Sequence, residues 1–284
     1  MNLVPADCFS LEALTAAYNQ TRVDYIVPMP MNVVRLREYV EAYDVALDSS
    51  WVAVVNERIV GLGMLGLRPG RGWVTRVGVL PGGRRRGIGR AISSHLLASA
   101  LEHKVGRVSL EVIKGNRPGL ALFRSGGFEE ARELIIARRP PSLTGAAGPL
   151  EPWFNQVGNV WRLSKAEVLP LLGRRDGRPN WLNETESLAN LGDCGGLYVE
   201  LRDGGQGWVA YQMTKYQLTH ITLGVEAGDP AAVSSATLAA LHDRCRTQDA
   251  IMENLPAADP TWQGYLNCGY FETFRRIEMS RAFA

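Results

Sequence analysis

Four glycines and four arginines between residues 82 and 90 are the part of this 284-residue chain whose residue types and spacing point most directly to chemistry. The stretch from 73 to 92, WVTRVGVLPGGRRRGIGRAI, passes from a β-branched apolar run into a glycine- and arginine-rich turn and then into a helical pattern. Gly82 and Gly83 permit backbone angles closed to other residues, and Gly87 and Gly89 let an anionic ligand approach the main chain without a Cβ in the way. Arg84, Arg85, Arg86 and Arg90 add positive charge. The first-turn N–H groups of the helix have no intrahelical acceptor and lie at the positive end of its dipole, so the turn suits a pyrophosphate.

Two further residues downstream of the turn could do chemistry. Glu111, in VSLEVI, is the one acid within the predicted central strands of the first half. A carboxylate there is costly to bury unpaired, so it lies at a strand edge, pairs with Arg76 or Arg107, or serves as a general base. Asn116 precedes Pro118 and an apolar run, the pattern of a helix cap. A dinucleotide-binding reading of the glycines needs a third glycine where Ile92 stands, and a parallel strand where a meander precedes the turn.

The order V-x-P followed by R-x-x-G-x-G at Arg84, Gly87 and Gly89 resembles the pyrophosphate-binding segment of the GCN5-related N-acetyltransferases. Asn116, Phe123, Gly127 and Phe128 keep the spacing of that family's second signature, N-x-x-A-x-x-x-Y-x-x-x-G-F, with Gly119 in place of Ala and Phe123 in place of Tyr. The resemblance implies acetyl-CoA as co-substrate. It assigns cofactor contacts to Val77, Gly78 and Val79 at the strand end, to Arg84, Arg85, Arg86, Gly87, Ile88, Gly89 and Arg90 at the turn, and to Asn116 and Phe123 along the pantetheine. It also places Glu111 where the ribosomal-protein alanine acetyltransferases carry an L-E-V glutamate acting as base, and Phe123 where the family usually has the tyrosine that protonates the departing thiolate. The implied activity is transfer of an acetyl group to a primary amine by direct attack. The alternative is a non-catalytic acyl-CoA-binding or assembly protein.

The elements that must position these residues are legible from periodicity and punctuation. Ser10 and Asn32 can cap two helices, SWVAVV, IVGLGMLGL and WVTRVGVL read as a meander, and a helix follows the turn with Ile88, Ala91, Ile92, His95, Leu96 and Ser99 on one buried stripe. A strand through Glu111, a short helix and a last strand complete the order α-α-β-β-β-α-β-α-β. This is the order of the acyl-CoA N-acyltransferase fold, an α/β (α+β) fold of mixed, mostly antiparallel sheet flanked by helices. Residues 1–140 form the catalytic domain, 141–160 a Pro/Gly-rich linker, and 161–284 a degenerate second copy. In that copy Tyr265, Gly269 and Tyr270 repeat the signature's end, while LTHITLGVE runs into AGDPAAV with no basic glycine turn.

Composition bounds the rest. The hydrophobic content is 46% and the charged content 21%, as in soluble globular proteins. The net charge of +2 divides unevenly: residues 1–150 carry 19 basic against 13 acidic residues, and 151–284 carry 12 against 16. The anionic ligand therefore belongs to the first half, and an acceptor of cationic character would suit the second. Arginines gathered at one glycine turn do not form the aromatic-interleaved stripe of a nucleic-acid binder. Cys8, Cys194, Cys245 and Cys268, and His95, His103, His220 and His242, share no ligand spacing, so neither a metal nor a disulfide framework is expected. Trp161 and Trp181 are candidates for pocket walls. No run reaches the roughly 20 apolar residues of a membrane span, and the N-terminus lacks a signal-peptide pattern, which predicts a cytoplasmic protein. The oligomer is open, a homodimer included.

Overall fold

Side-chain caps start the first helices where the sequence places them. The computed structural model describes residues 1–142, 150–175 and 177–283, and divides into one unit of residues 1–132 with 277–284 and a second of 133–276. In the first unit Ser10 Oγ accepts from Ala13 N at the start of α1 (Leu11–Gln20), and Asn32 Oδ1 accepts from Arg35 N at the start of α2 (Val33–Ala42). A strand that the sequence reading missed, β1 (Asn2–Pro5), precedes them and pairs antiparallel with β2 (Trp51–Val55). Four residues with only two apolar among them carry too little periodicity to be seen without their partner.

β2, β3 (Arg58–Arg68) and β4 (Arg71–Val79) form the expected antiparallel meander. α3 (Ile88–Glu102) follows the glycine turn, β5 (Arg107–Ile113) lies parallel to β4, and α4 (Arg117–Ser125) leads into β6 (Glu129–Arg139). α3 packs on β2, β3 and β4 through Ile92, Leu96 and Ala100, all with no exposed surface. His95, expected on that stripe, is instead exposed, with Nδ1 2.9 Å from Ala91 O and its ring 5.0 Å from that of Trp51. Burial follows Ile88, Ile92, Leu96 and Ser99, and the inner stripe widens through Leu97 and Ala100 rather than through His95.

The second unit holds α5 (Glu151–Phe154), β7 (Val157–Leu163), α6 (Lys165–Gly173), α7 (Thr185–Asn190) and the meander β8 (Gly195–Leu201), β9 (Gln206–Met213) and β10 (Gln217–Ala227). After these come α8 (Pro230–Arg244), β11 (Asp249–Pro256), α9 (Trp262–Asn267) and β12 (Phe271–Ala282). β10 and β11 are parallel, as β4 and β5 are. α8 is buried at every residue from Val233 to His242, packed on β8, β9 and β10 and covered by α5 and α9.

The linear division into 1–140, 141–160 and 161–284 differs from these units at both ends. The stretch assigned to a linker contains α5 and β7, the latter paired with β8, while residues 143–149 of it lie outside the described residues. The second half of the last strand belongs elsewhere than its sequence neighbours: Ile277 and Met279 sit in the core of the first unit with Val108, Leu110 and Val112 of β5, and Arg132 Nε donates to Glu278 Oε2 at 2.5 Å. Within the second unit, Glu133–Arg139 of β6 pairs antiparallel with β11.

This exchange makes a prediction. Met279 is fully buried, so Met279→Ala should remove about 2–5 kcal/mol from the first unit. Hydrogen exchange should accelerate across β2 to β5, although these lie some two hundred residues away in sequence; faster exchange confined to β8 to β10 would contradict the assignment.

Candidate active site

The site begins with an extra residue in β4. Thr75 pairs with Met64 and Gly78 with Leu62, so Arg76 and Val77 together face the single residue Gly63. This is a β-bulge, and Arg76 takes the left-handed conformation it requires, with φ +55°. β4 and β5 pair only at Arg71–Arg107, Gly72–Val108 and Trp73–Ser109. Beyond Trp73 the two strands part, and a cleft of about 120 Å³ opens between them, lined among others by Thr75, Arg76, Val77, Glu111, Asn116 and Phe123.

The bulge also turns the strand's end. Leu80 N donates to Val60 O at 2.8 Å on the β3 side, and by strand alternation the main-chain groups of Val77 and Val79 face away from β3. Their carbonyls confirm this: Val77 O accepts from Arg22 Nη2 at 3.3 Å and Val79 O from Arg84 Nε at 3.2 Å. Gly78 faces α1, where a Cβ would lie 2.4 Å from Thr21 Oγ1. Glycine is therefore set here by closeness of approach.

At the turn, the left-handed residues are Arg85 (φ +62°) and Gly87 (φ +80°), whereas Gly82 and Gly83, expected to carry the unusual angles, have no positive φ. Gly87 is the N-cap of α3 and brings no side chain to its first turn, so those N–H groups stay open. Around Gly87 a Cβ would meet nothing within 4 Å, and at Gly89 it would meet Leu122 at 3.4 Å and Val79 at 3.7 Å, both ordinary contacts. The backbone angle, rather than crowding, accounts for glycine at 87. Arg85, Arg86 and Arg90 are exposed, as the anion reading requires.

Arg84 is not free for an anion. Its guanidinium donates to both oxygens of Asp24 at 2.6 and 2.7 Å, to Thr21 O at 3.2 Å and to Val79 O. The hydrogen bonds from Arg84 hold the Asp24 carboxyl below the usual carboxylate range. Since Asp24 lies on the α1–α2 connection, this arginine fastens that connection to the end of β4. Nothing local in the chain points to it, because the partners are about sixty residues apart.

Across the cleft, Glu111 Oε2 accepts from Trp73 Nε1 at 2.8 Å. Trp73 is buried, with its ring 5.9 Å from Tyr39 and 5.7 Å from Tyr43. Tyr39 Oη and Thr75 Oγ1 are 2.6 Å apart, and burial pushes the Tyr39 phenol up to about 12, so it remains protonated at neutral pH. Arg76 Nη1 donates to Tyr18 Oη at 2.9 Å, and its guanidinium lies 4.1 Å from the Tyr39 ring. Asn116 Oδ1 caps α4 through Gly119 N at 3.1 Å, and its Nδ2 donates to Tyr25 Oη at 3.4 Å. A Cβ at residue 119 would sit 2.8 Å from Asn116 Nδ2, which accounts for Gly119. Phe123 is 8% exposed, its ring edge-on to Phe128 at 5.8 Å.

The structure thus brings Val77, Glu111, Asn116 and Phe123 to one cleft, with Gly78, Val79 and the arginine turn continuing from its β4 wall. Sequence reasoning missed Arg22, Tyr25, Tyr18 and Tyr39. Arg22 and Tyr25 lie beyond the end of α1, on the α1–α2 connection, where no periodicity marks them. The two tryptophans considered as pocket walls serve otherwise: Trp181 is buried, and Trp161 is exposed beside Tyr198.

Residues 14–128 match the model of the acetyltransferase (GNAT) family. No curated protein matches the chain. Among solved structures, a GCN5-related N-acetyltransferase from Sphaerobacter thermophilus aligns with a TM-score of 0.71 at 16% identity, over 98% of this chain and 93% of that one. A tandem GNAT protein from the clavulanic acid biosynthesis pathway gives 0.66 at 16% identity over 99% and 98%. A glucosamine N-acetyltransferase region of a fungal multi-domain GH3 β-N-acetylglucosaminidase gives 0.72 at 13% identity, over 98% of this chain and 38% of that one. At these identities the likeness establishes the fold, and it spans both halves.

The clasp at Arg84 is testable without any ligand. Arg84→Ala should speed hydrogen exchange of residues 21–25 by a few-fold, and Asp24→Asn should do nearly the same. Unchanged exchange in both would show that the connection is held by other contacts.

Proposed function

We propose, from the premise that residues 14–128 are a GNAT-family acetyltransferase domain and the protein an acyltransferase, that it moves an acetyl group from acetyl-CoA to a primary amine by direct attack in the cleft of its first unit. The observation that carries this reading is the parting of β4 from β5, with Glu111 on one wall and the main chain of Val77 and Val79 on the other. The residues present fit the co-substrate. The uncapped first turn of α3 with Arg85, Arg86 and Arg90 would hold the pyrophosphate, and Asn116 and Phe123 would border the pantetheine. The bound group supplies the acyl thioester.

The chain's own part is to position, exclude water and move one proton. The N–H groups of Val77 and Val79 share the cleft-facing side with carbonyls already held by Arg22 and Arg84, which leaves the strand end fixed in the orientation that an acyl oxygen needs. Glu111 accepts the proton that the amine loses. An alkylamine with a pKa of about 10 is neutral in only about one molecule in a thousand at pH 7, so a placed base matters most there. Trp73 fixes the carboxylate by its N–H bond without neutralising it.

Only the first unit has the turn. At the matching place in the second unit, Asp229 caps α8, its Oδ2 accepting from Ala232 N at 2.8 Å. A carboxylate occupies the N–H groups and repels an anion, so that end does not suit pyrophosphate.

Three outcomes follow. Calorimetry should give one acetyl-CoA per chain, and Arg86→Ala with Arg90→Ala should weaken binding by about 1 kcal/mol per exposed contact, more steeply at low salt; two sites per chain would overturn the assignment. Glu111→Gln should lower turnover about 10²-fold at neutral pH, with the deficit shrinking toward pH 10 as the amine itself becomes neutral, and acetyl-CoA affinity nearly unchanged; parent-like rates at every pH would return Glu111 to a structural role. Phe123 favours the second reading, a non-catalytic acyl-CoA-binding protein, because it has no proton to give. Thiol release with any amine from the wild type or Phe123→Tyr decides for the enzyme, and binding without release from either decides against it.

A further inference from the structure

Arg22 has so far only held the Val77 carbonyl, yet it lines the same cleft as Glu111. It follows the C-cap of α1, and its guanidinium lies between two rings, 4.8 Å from the centre of Tyr18 and 4.5 Å from that of Tyr25. Its one hydrogen bond is from Nη2 to Val77 O at 3.3 Å, and its Nε is buried with no acceptor. Among the described residues no carboxylate lies within ion-pair distance of it. Arg68 and Arg84, by contrast, each have an aspartate at 2.6–2.7 Å.

A half-buried guanidinium without a counter-charge is costly, and it persists only where the surroundings hold it in place. Here two aromatic rings within 5 Å do so, which orders the planar fork before any ligand arrives. Tyr25, one of the two rings, is tied in turn to Asn116 on the opposite side of the cleft. The charged side chains lining the cleft are Arg22, Arg76 and Glu111, two cations against one anion. Arg22 is thus a cation of the cleft with no counter-charge among the described residues.

Building on the acetyl-transfer reading above, we propose that Arg22 seats a carboxylate of the acceptor, so that the substrate class is a primary amine carrying a carboxylate, an amino acid or an amine built on one. The acceptor's nitrogen would then lie at Glu111 while its carboxylate meets the guanidinium, bringing the cleft's charges into balance. A carboxylate fits better than a phosphate because the co-substrate's own phosphates have the arginine turn beyond Val79. The sequence-level expectation of a cationic acceptor drawn to the acidic second half does not describe this cleft.

The test compares the twenty amino acids with their α-amides as acceptors, using acetyl-CoA and thiol release, with rates expressed per neutral amine. The best acid should exceed its amide by at least tenfold in kcat/KM, and in Arg22→Met that ratio should fall to within about twofold while acetyl-CoA affinity holds. Amides used as well as acids would overturn the proposal. So would a ratio that survives in Arg22→Met, or a loss of acetyl-CoA affinity in that variant with the ratio unchanged, which would move Arg22 to the co-substrate. If Arg22→Met does not fold, the acid-to-amide comparison on the wild type still decides. Acetyl-CoA binding with no thiol release from any amine, acid or amide, would instead overturn the acetyl-transfer reading itself.

Discussion

The bulge at Arg76 is the constraint from which the site follows. One extra residue in β4 takes the strand out of register with β3, puts Gly78 rather than a side chain against Thr21, and aims the main chain of Val77 and Val79 away from β3. Hydrogen bonding to β5 ends three residues before the bulge. A continuous parallel pair would have consumed those N–H and C=O groups in a ladder and left no cleft. The left-handed angle at a non-glycine residue is a local cost, offset by the two aromatic faces and the Tyr18 hydroxyl that the Arg76 side chain reaches.

The second unit repeats this construction closely enough to show what the first has kept. β10 has its own bulge, with His220 and Ile221 against Tyr211 and His220 at φ +54°. Its parallel pairing with β11 is shorter still, two residue pairs against three, and Glu253 is the fifth residue of β11 as Glu111 is of β5. The surroundings differ. Burial holds the His220 imidazole below its ordinary range, and hence neutral, where the first unit has a permanent cation. Glu253 pairs with Arg276 at 3.1 Å. With Asp229 closing the helix end, the second unit retains the backbone of the site and its strand carboxylate without the arginine turn or the cation at the bulge.

What was legible in the sequence was local. The caps at Ser10, Asn32 and Asn116 and the glycine turn are each read within a few residues, and each stands where expected. What was not legible depends on partners distant in the chain: the Arg84–Asp24 clasp, Arg22 on the Val77 carbonyl, and a last strand that completes the first unit. A run of arginines beside glycines reads as uniformly available charge, but folding engaged the first and left the other three. Likewise Glu111 offered several partners by type, and the indole N–H of Trp73, which no charge pattern announces, proved to be one of them.

Position 123 shows how chemistry, and not only packing, decides whether a departure from a motif matters. A leaving thiolate with a reference pKa near 8.5 lies only about 2 kcal/mol above its thiol at pH 7, so a missing phenol handicaps such a leaving group far less than it would an alkoxide. The ring at 123 still packs on Phe128 and keeps that wall of the cleft apolar. In the second unit the tyrosine is present at Tyr265, but it is fully buried and its hydroxyl has no partner, so it has nothing to protonate. A residue identity taken from a motif therefore acquires a role only with exposure to the reacting atoms. By that criterion the phenol of Tyr25, which lines the same cleft as Phe123 and accepts from Asn116, is better placed to meet a ligand than the motif's own tyrosine in the other copy.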